Sequence, residues 1–78
     1  MDRKQIEQSV IAALAAVLKC EVGADTSRQN TPQWDSLKHI EIIFSVEDEL
    51  GIEFSEKEMA GLDSVAEIVS RAMTLHAA

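Results

Sequence analysis

Apolar residues recur every three or four positions in the first part of the chain, which is typical of an amphipathic helix. At about 100° per residue, one broad helix face gathers Ile6, Val10, Ala13, Leu14, Val17 and Leu18. Asp2 near the start and Lys19 near the end suit the helix dipole. The pattern predicts a first helix from about Asp2 to Lys19.

The periodicity stops at Cys20 and returns only after Trp34. The residues between them include the turn and loop formers Gly23, Asp25, Thr26, Ser27, Asn30, Thr31 and Pro32. We therefore predict a long loop from about Cys20 to Trp34. A loop of this length in so small a chain is itself a hint of function.

A second helix is predicted from about Ser36 to Leu50, and Gly51 is suited to cap its C-terminus. Ile52 and Phe54 follow in a short loop, where we expect their side chains to fill the core.

Two capping signatures of the form Ser-x-x-Glu predict the remaining helices. Ser55 starts a short helix that ends at Gly61, and Ser64 starts the last helix. The predicted fold class is an all-α four-helix bundle with three longer helices, one short helix and a long loop between helices 1 and 2. Residues 1–78 are expected to form a single domain.

Composition narrows the class of protein. The 46% hydrophobic and 27% charged residues, with one proline, indicate a globular chain rather than a disordered one. Cys20 is the sole cysteine, so an intrachain disulfide is impossible and no metal site is predicted. No apolar run is long enough to span a membrane and no signal-peptide pattern is present, so we expect a cytoplasmic protein without membrane insertion.

The charge is strongly acidic, with fourteen Asp and Glu against seven Lys and Arg, a formal net charge of −7. Such a chain repels nucleic acid phosphates and favours partners that carry basic patches. Solubility alone is the other explanation of this charge.

The predicted second helix has two apolar clusters rather than one. The natural core face consists of Ile42, Ile43, Val46 and Leu50. A second cluster consists of Leu37, Ile40 and Phe44, flanked by Glu41, Glu47 and Asp48. Either the helix is buried around most of its circumference, or the second cluster is an exposed docking surface rimmed by acids. His39 lies on the core half, where a structural role is expected rather than a catalytic one.

Asp35-Ser36-Leu37 reads as a helix start, with Asp35 as the capping residue and Ser36 in the first turn. The Ser36 hydroxyl then faces solvent beside the positive end of the helix dipole, a favourable place for an anionic group such as a phosphodiester. A serine nucleophile would need a base and an oxyanion hole. Only His39 and His76 could act as a histidine base, and there is no Gly-x-Ser-x-Gly motif, so no enzyme is predicted. A purely structural role at the helix start is the other interpretation.

The wider sequence context of Ser36 resembles acyl and peptidyl carrier proteins from about Trp34 to Met73. The matching residues after Ser36 are Leu37, Ile40, Glu41, Ile42, Ile43, Val46, Glu47 and Glu49, then Leu50-Gly51-Ile52-Glu53-Phe54 and Ser64-Val65. The resemblance implies a four-helix bundle and an attachment site at Asp35-Ser36. It also implies that a phosphopantetheinyl transferase moves 4′-phosphopantetheine from coenzyme A to Ser36, and that the distal thiol then holds an acyl or aminoacyl thioester.

The resemblance further implies a monomer that visits several enzymes. These are the phosphopantetheinyl transferase, a ligase that loads the acyl or aminoacyl group, and a downstream transferase or synthase with basic patches. The residues that match the family's recognition surface are Leu37, Ile40, Glu41, Phe44, Glu47 and Asp48. Trp34 is added to this set as a further partner contact, although packing of the loop against the helices would also explain it.

Two departures from the family pattern favour a specialised carrier over one of primary fatty-acid synthesis. Gln33-Trp34 precede the attachment motif, and Lys38-His39 follow it. The alternative function is an unmodified helical adaptor that binds basic protein partners through helix 2.

Overall fold

A computed structural model describes residues 2–77. The helices within that range are α1 (Arg3–Leu18), α2 (Ser36–Leu50), α3 (Glu56–Gly61) and α4 (Val65–Ala77). The prediction of a helical protein with three longer helices and one short helix is confirmed, and residues 2–77 contain no strand. The first helix is slightly shorter than predicted, because Asp2 and Lys19 flank it as caps.

The ends of α1 and α2, which pack against each other, are fixed by side-chain caps at the N-termini and by residues with left-handed backbone geometry at the C-termini. The Asp2 carboxylate accepts a hydrogen bond from the Gln5 N–H at 2.9 Å, and the Gln5 side chain accepts one from the Asp2 N–H at 3.0 Å. Lys19 and Gly51 end α1 and α2 in the left-handed region, at φ 55° and 66°. Gly51 suits that conformation because glycine has no Cβ to crowd the backbone.

The two predicted capping signatures also begin helices. The Ser55 hydroxyl accepts from the Glu58 N–H at 3.1 Å, and the Glu58 carboxylate accepts from the Ser55 N–H at 2.9 Å. The Ser64 hydroxyl accepts from the Glu67 N–H and donates to the Glu67 carboxylate, both at 3.1 Å. Ser64 is therefore a cap, as the sequence predicted.

The apolar faces of the helices meet in one core, in which α1 packs against both α2 and α4. Phe54 is buried in this core and Ile52 packs against it, so the expected core-filling role of the loop after α2 is confirmed. The largest side chains with less than 2% exposure are Ile6, Val10, Leu14, Ile42, Ile43, Val46, Val65, Ile68 and Val69.

The segment 19–35, which joins α1 to α2, is fastened to the start of α4 by its backbone. The Arg28 N–H donates to the Asp63 carbonyl at 2.8 Å, and the Val65 N–H donates to the Thr26 carbonyl at 3.0 Å. These bonds satisfy backbone groups that no helix would satisfy. They also fix the path along which the chain approaches α2.

The carboxylate of Glu58, which caps the start of α3, should make the stability of the protein depend on pH. The Ser55 backbone N–H, together with the Ser55 hydroxyl and Arg71, lowers the pKa of Glu58 below its ordinary value of 4.5, against an opposing effect of burial. The folded state therefore binds fewer protons than the unfolded state in mild acid. The stability contributed by Glu58 is present above pH 4.5 and is lost as the pH falls through the lowered value.

We expect Glu58→Gln to destabilise the protein at neutral pH, and we expect this difference to shrink in acid. Urea unfolding followed by circular dichroism over a pH series measures it. Glu56→Gln is the matched control, because Glu56 is an exposed acid in the same first turn. A difference between wild type and Glu58→Gln that stays constant from neutral pH to well below 4.5 would contradict the assignment.

Candidate functional site

Ser36 is the first residue of α2, and its side chain is exposed. The preceding Asp35 has extended backbone geometry, and its carboxylate accepts a hydrogen bond from the Lys38 N–H at 2.9 Å. Asp35 is therefore the predicted cap. Its carboxylate turns towards the helix backbone, and the Ser36 hydroxyl stays accessible at the positive end of the helix dipole.

Arg28 is the residue of this site that sequence reasoning missed. Its guanidinium donates a hydrogen bond from Nη2 to the Ser36 Oγ at 3.0 Å. Its Nη1 lies 3.9 Å from the Asp63 Oδ1, so the same group faces a carboxylate on its other side. Arg28 lies in a segment without periodicity, and its place beside Ser36 depends on backbone bonds between this segment and the start of α4. No signal along the chain could have found it.

A buried network lies directly behind the start of α2. The Trp34 Nε1–H donates to the His39 Nδ1 at 3.0 Å, and the two rings stack with centroids 6.0 Å apart. The His39 Nε2 lies 2.6 Å from the Met59 carbonyl oxygen. Because an indole N–H can only donate, Nδ1 is the acceptor, and Nε2 carries the proton that it donates to Met59. The network joins the residue before Asp35, the first turns of α2 and helix α3.

These contacts decide the roles of Trp34 and His39. Trp34 is only 2% exposed, so its assignment to the partner-binding surface is wrong, and packing of the loop describes its role. Its indole is buried because the N–H finds a partner in His39. His39 is 7% exposed and uses both ring nitrogens within the fold, as the predicted structural histidine should.

The second apolar cluster of α2 is on the surface. Leu37 is 67% exposed, Ile40 53% and Phe44 57%, and these three residues are termed the exposed α2 face below. This result excludes a helix that is buried around most of its circumference, since such a helix would cover these three side chains. Large exposed apolar side chains grouped on one face are typical of a contact surface.

The acids predicted to flank this face have different environments. Glu41 and Asp48 are exposed, and the Glu41 carboxylate lies 3.4 Å from the Lys38 Nζ. Glu47 is half-buried, and its carboxylate accepts a hydrogen bond from the Phe54 N–H at 2.7 Å. Glu47 therefore holds the chain that leaves α2, in addition to any role on the surface.

The remaining features of the described residues concern metal binding, membrane-spanning helices and surface depressions. Residues 2–77 contain no group of three or more His, Cys, Asp or Glu side chains placed to hold a metal ion. No helix in this range has the length and apolar character needed to cross a membrane. A surface depression lies along α4 and is lined by Leu62, Glu67, Ser70, Arg71 and Thr74.

No family model matches this chain, and no curated protein matches its sequence. The site geometry is accordingly the physical basis for a functional conclusion.

The buried network predicts a large effect of a substitution at its centre. His39→Ala leaves the Trp34 N–H and the Met59 carbonyl without their partner and opens a cavity. We expect a loss of about 2–4 kcal/mol in the free energy of unfolding. Urea unfolding monitored by the fluorescence of Trp34, the sole tryptophan, measures this loss.

His76→Ala provides the matched control, because His76 is an exposed histidine in the last turn of α4. We expect its effect to stay within about 0.5 kcal/mol, as for most surface substitutions. Equal stabilities of His39→Ala and wild type would show that the network does not hold the start of α2.

Proposed function

We propose that this chain is a carrier protein of the acyl or peptidyl type, folded as a four-helix carrier bundle. Ser36 takes 4′-phosphopantetheine from coenzyme A, and the distal thiol of that group holds an acyl or aminoacyl thioester. The observation that carries the proposal is an exposed serine hydroxyl at the first position of α2, next to the exposed α2 face. The sequence resemblance around Ser36 supports it.

The attachment is a phosphoryl-type transfer that a separate phosphopantetheinyl transferase catalyses. The Ser36 Oγ attacks the phosphorus that carries the pantetheine arm in the pyrophosphate of coenzyme A. The new O–P bond forms as the P–O bond to adenosine 3′,5′-bisphosphate breaks, and that leaving group takes the electron pair. The hydroxyl proton passes to a base of the transferase. The carrier contributes an accessible oxygen at a helix start that tolerates the resulting negative charge.

Once modified, the chain acts by tethering, and the prosthetic group supplies the thiol. A flexible arm raises the effective concentration of the cargo at the active site of a docked partner. The arm needs a fixed base for this purpose. The buried network of Trp34, His39 and Met59 supports such a role, because it holds the residues on both sides of Ser36.

The exposed α2 face is the proposed docking surface for the partner enzymes. Its apolar residues would supply the contact area, and the exposed acids Glu41 and Asp48 would attract the basic patches of a loading ligase or a downstream transferase or synthase. The area is small, which suits a carrier that must leave one enzyme to reach the next. The Glu47 carboxylate already accepts a hydrogen bond from the Phe54 N–H, so we assign Glu47 a smaller share in docking.

The departures from fatty-acid carriers still support a specialised pathway, but only some of them lie on the surface where a partner enzyme could contact them. Trp34 and His39 form an internal pair, so they change the packing rather than the surface. Lys38 is partly exposed two residues after Ser36, and Gln33 is exposed three residues before it. Lys38 and Gln33 are therefore the departures that partner enzymes would contact.

Modification of the serine is the direct test. An active, promiscuous phosphopantetheinyl transferase with coenzyme A should raise the intact mass of the protein by one phosphopantetheine. The increase should vanish in Ser36→Ala, which lacks the attacking oxygen. It should persist in Ser64→Ala, the matched control, because the Ser64 hydroxyl is engaged in capping α4.

An unchanged mass of wild type, in a reaction that modifies a reference carrier completely, would contradict the carrier proposal. The adaptor alternative would then gain support if Ser36→Ala retained full function.

The docking surface makes a second prediction. Phe44→Ala should lower the kcat/KM of the transferase reaction by about fivefold, equivalent to a contact of roughly 1 kcal/mol. Folding should be unaffected because Phe44 is 57% exposed. Asp48→Asn should lower kcat/KM less, and this effect should fade at high salt.

Glu49→Gln controls for the loss of one charge. Glu49 is an exposed acid next to Asp48 in sequence, but it lies about 100° further round the helix, away from the exposed α2 face. Equal effects of Asp48→Asn and Glu49→Gln would show that net charge, rather than this surface, controls recognition.

A further inference from the structure

We propose that Arg28 binds the phosphodiester that modification places on Ser36, and so fixes the base of the prosthetic arm. This inference rests on the proposed function. It concerns a loop residue that neither the motif around Ser36 nor the exposed α2 face includes.

The contact between Arg28 and Ser36 already has the required geometry. Arg28 Nη2 lies 3.0 Å from the oxygen that becomes the ester oxygen of the phosphodiester. The non-bridging phosphate oxygens would be bonded to the phosphorus next to that oxygen, so they would lie within reach of the same guanidinium. A guanidinium has five N–H donors in a planar fork, and a single hydroxyl occupies only one of them.

Before modification, the Arg28 guanidinium has no close ion pair among the described residues. Its other partner is the Asp63 carboxylate, and the closest approach, between Nη1 and Oδ1, is 3.9 Å. That Oδ1 is buried and accepts no hydrogen bond among the described residues. The carboxylate thus holds the guanidinium by charge without consuming its donors. The neutral Ser36 hydroxyl takes a single bond, and a phosphodiester would take a charge-assisted and stronger one.

The backbone of Arg28 keeps the guanidinium near Ser36. The Arg28 N–H donates to the Asp63 carbonyl at 2.8 Å, and the carbonyl of Thr26, two residues earlier, accepts from the Val65 N–H at 3.0 Å. Both bonds are independent of the side chain, so a substitution of the guanidinium leaves the path of the loop in place.

Lys38 is the other cation close to Ser36, and its geometry is less suitable. Its Nζ lies 3.4 Å from the Glu41 carboxylate, one helical turn along α2. The ammonium is therefore directed along the helix towards Glu41. This difference makes Lys38 a matched control, since Arg28→Gln and Lys38→Gln each remove one positive charge next to the same serine.

The experiment compares the stability of apo and holo forms in a double-mutant cycle in which modification is one of the two changes. Urea unfolding is measured for apo and holo wild type, Arg28→Gln and Lys38→Gln. In wild type, modification should shift the unfolding equilibrium towards the folded state by about threefold more than in Arg28→Gln, the size expected of an exposed ion pair. Lys38→Gln should behave as wild type. High salt should reduce the difference.

Equal effects of modification in wild type and Arg28→Gln would overturn the inference, and the formation of the holo proteins would leave the proposed function standing. Failure of wild type to form holo protein at all would instead sink the proposed function, and this inference with it. Nuclear magnetic resonance of wild type covers the case in which Arg28→Gln does not fold. The Arg28 Nε–Hε resonance should shift on conversion to the holo form and return towards its apo position at high salt, and an unmoved resonance would overturn the inference.

Discussion

The hydrogen bond between the Trp34 indole and His39 is the contact on which the arrangement around Ser36 depends. It lies under the start of α2, and His39 extends it to the Met59 carbonyl in α3. Buried polar groups are costly unless they are paired, so the Trp34 N–H and the Met59 carbonyl both depend on His39. The network thereby fixes the connecting segment, α2 and α3 relative to one another close to the exposed Ser36.

The long connection between α1 and α2 also contributes to the surroundings of Ser36. Its residues have no helical periodicity, yet its backbone bonds to Asp63 and Val65 place Arg28 beside the Ser36 hydroxyl. Ser36 is thus close both to a buried hydrogen-bond network and to a half-buried cation. The chain has a net charge of −7, yet Arg28 places a positive charge next to the Ser36 hydroxyl. The net charge alone does not reveal this local attraction for an anion.

Helix α2 separates two tasks by its faces. The inward face packs into the core, while Leu37, Ile40 and Phe44 remain on the surface. Under the proposed function, Ser36 would hold the cargo and the exposed α2 face would select the enzyme, so that attachment and recognition could change independently. The burial of Trp34 sharpens this division, because it removes the largest side chain near the serine from the surface.

The sequence by itself determined the helices, because caps and periodicity are local. Helices begin where a capping side chain accepts a hydrogen bond from the backbone N–H three residues on, as at Asp2, Asp35, Ser55 and Ser64. The sequence also indicated Ser36 as a candidate attachment site and showed that α2 carries a second apolar cluster. Only the tertiary structure decided that this cluster is exposed and that Trp34 is buried, and only it brought Arg28 to Ser36. Those outcomes depend on contacts between residues far apart along the chain, such as His39 with Met59 and Arg28 with Asp63, which no local pattern encodes.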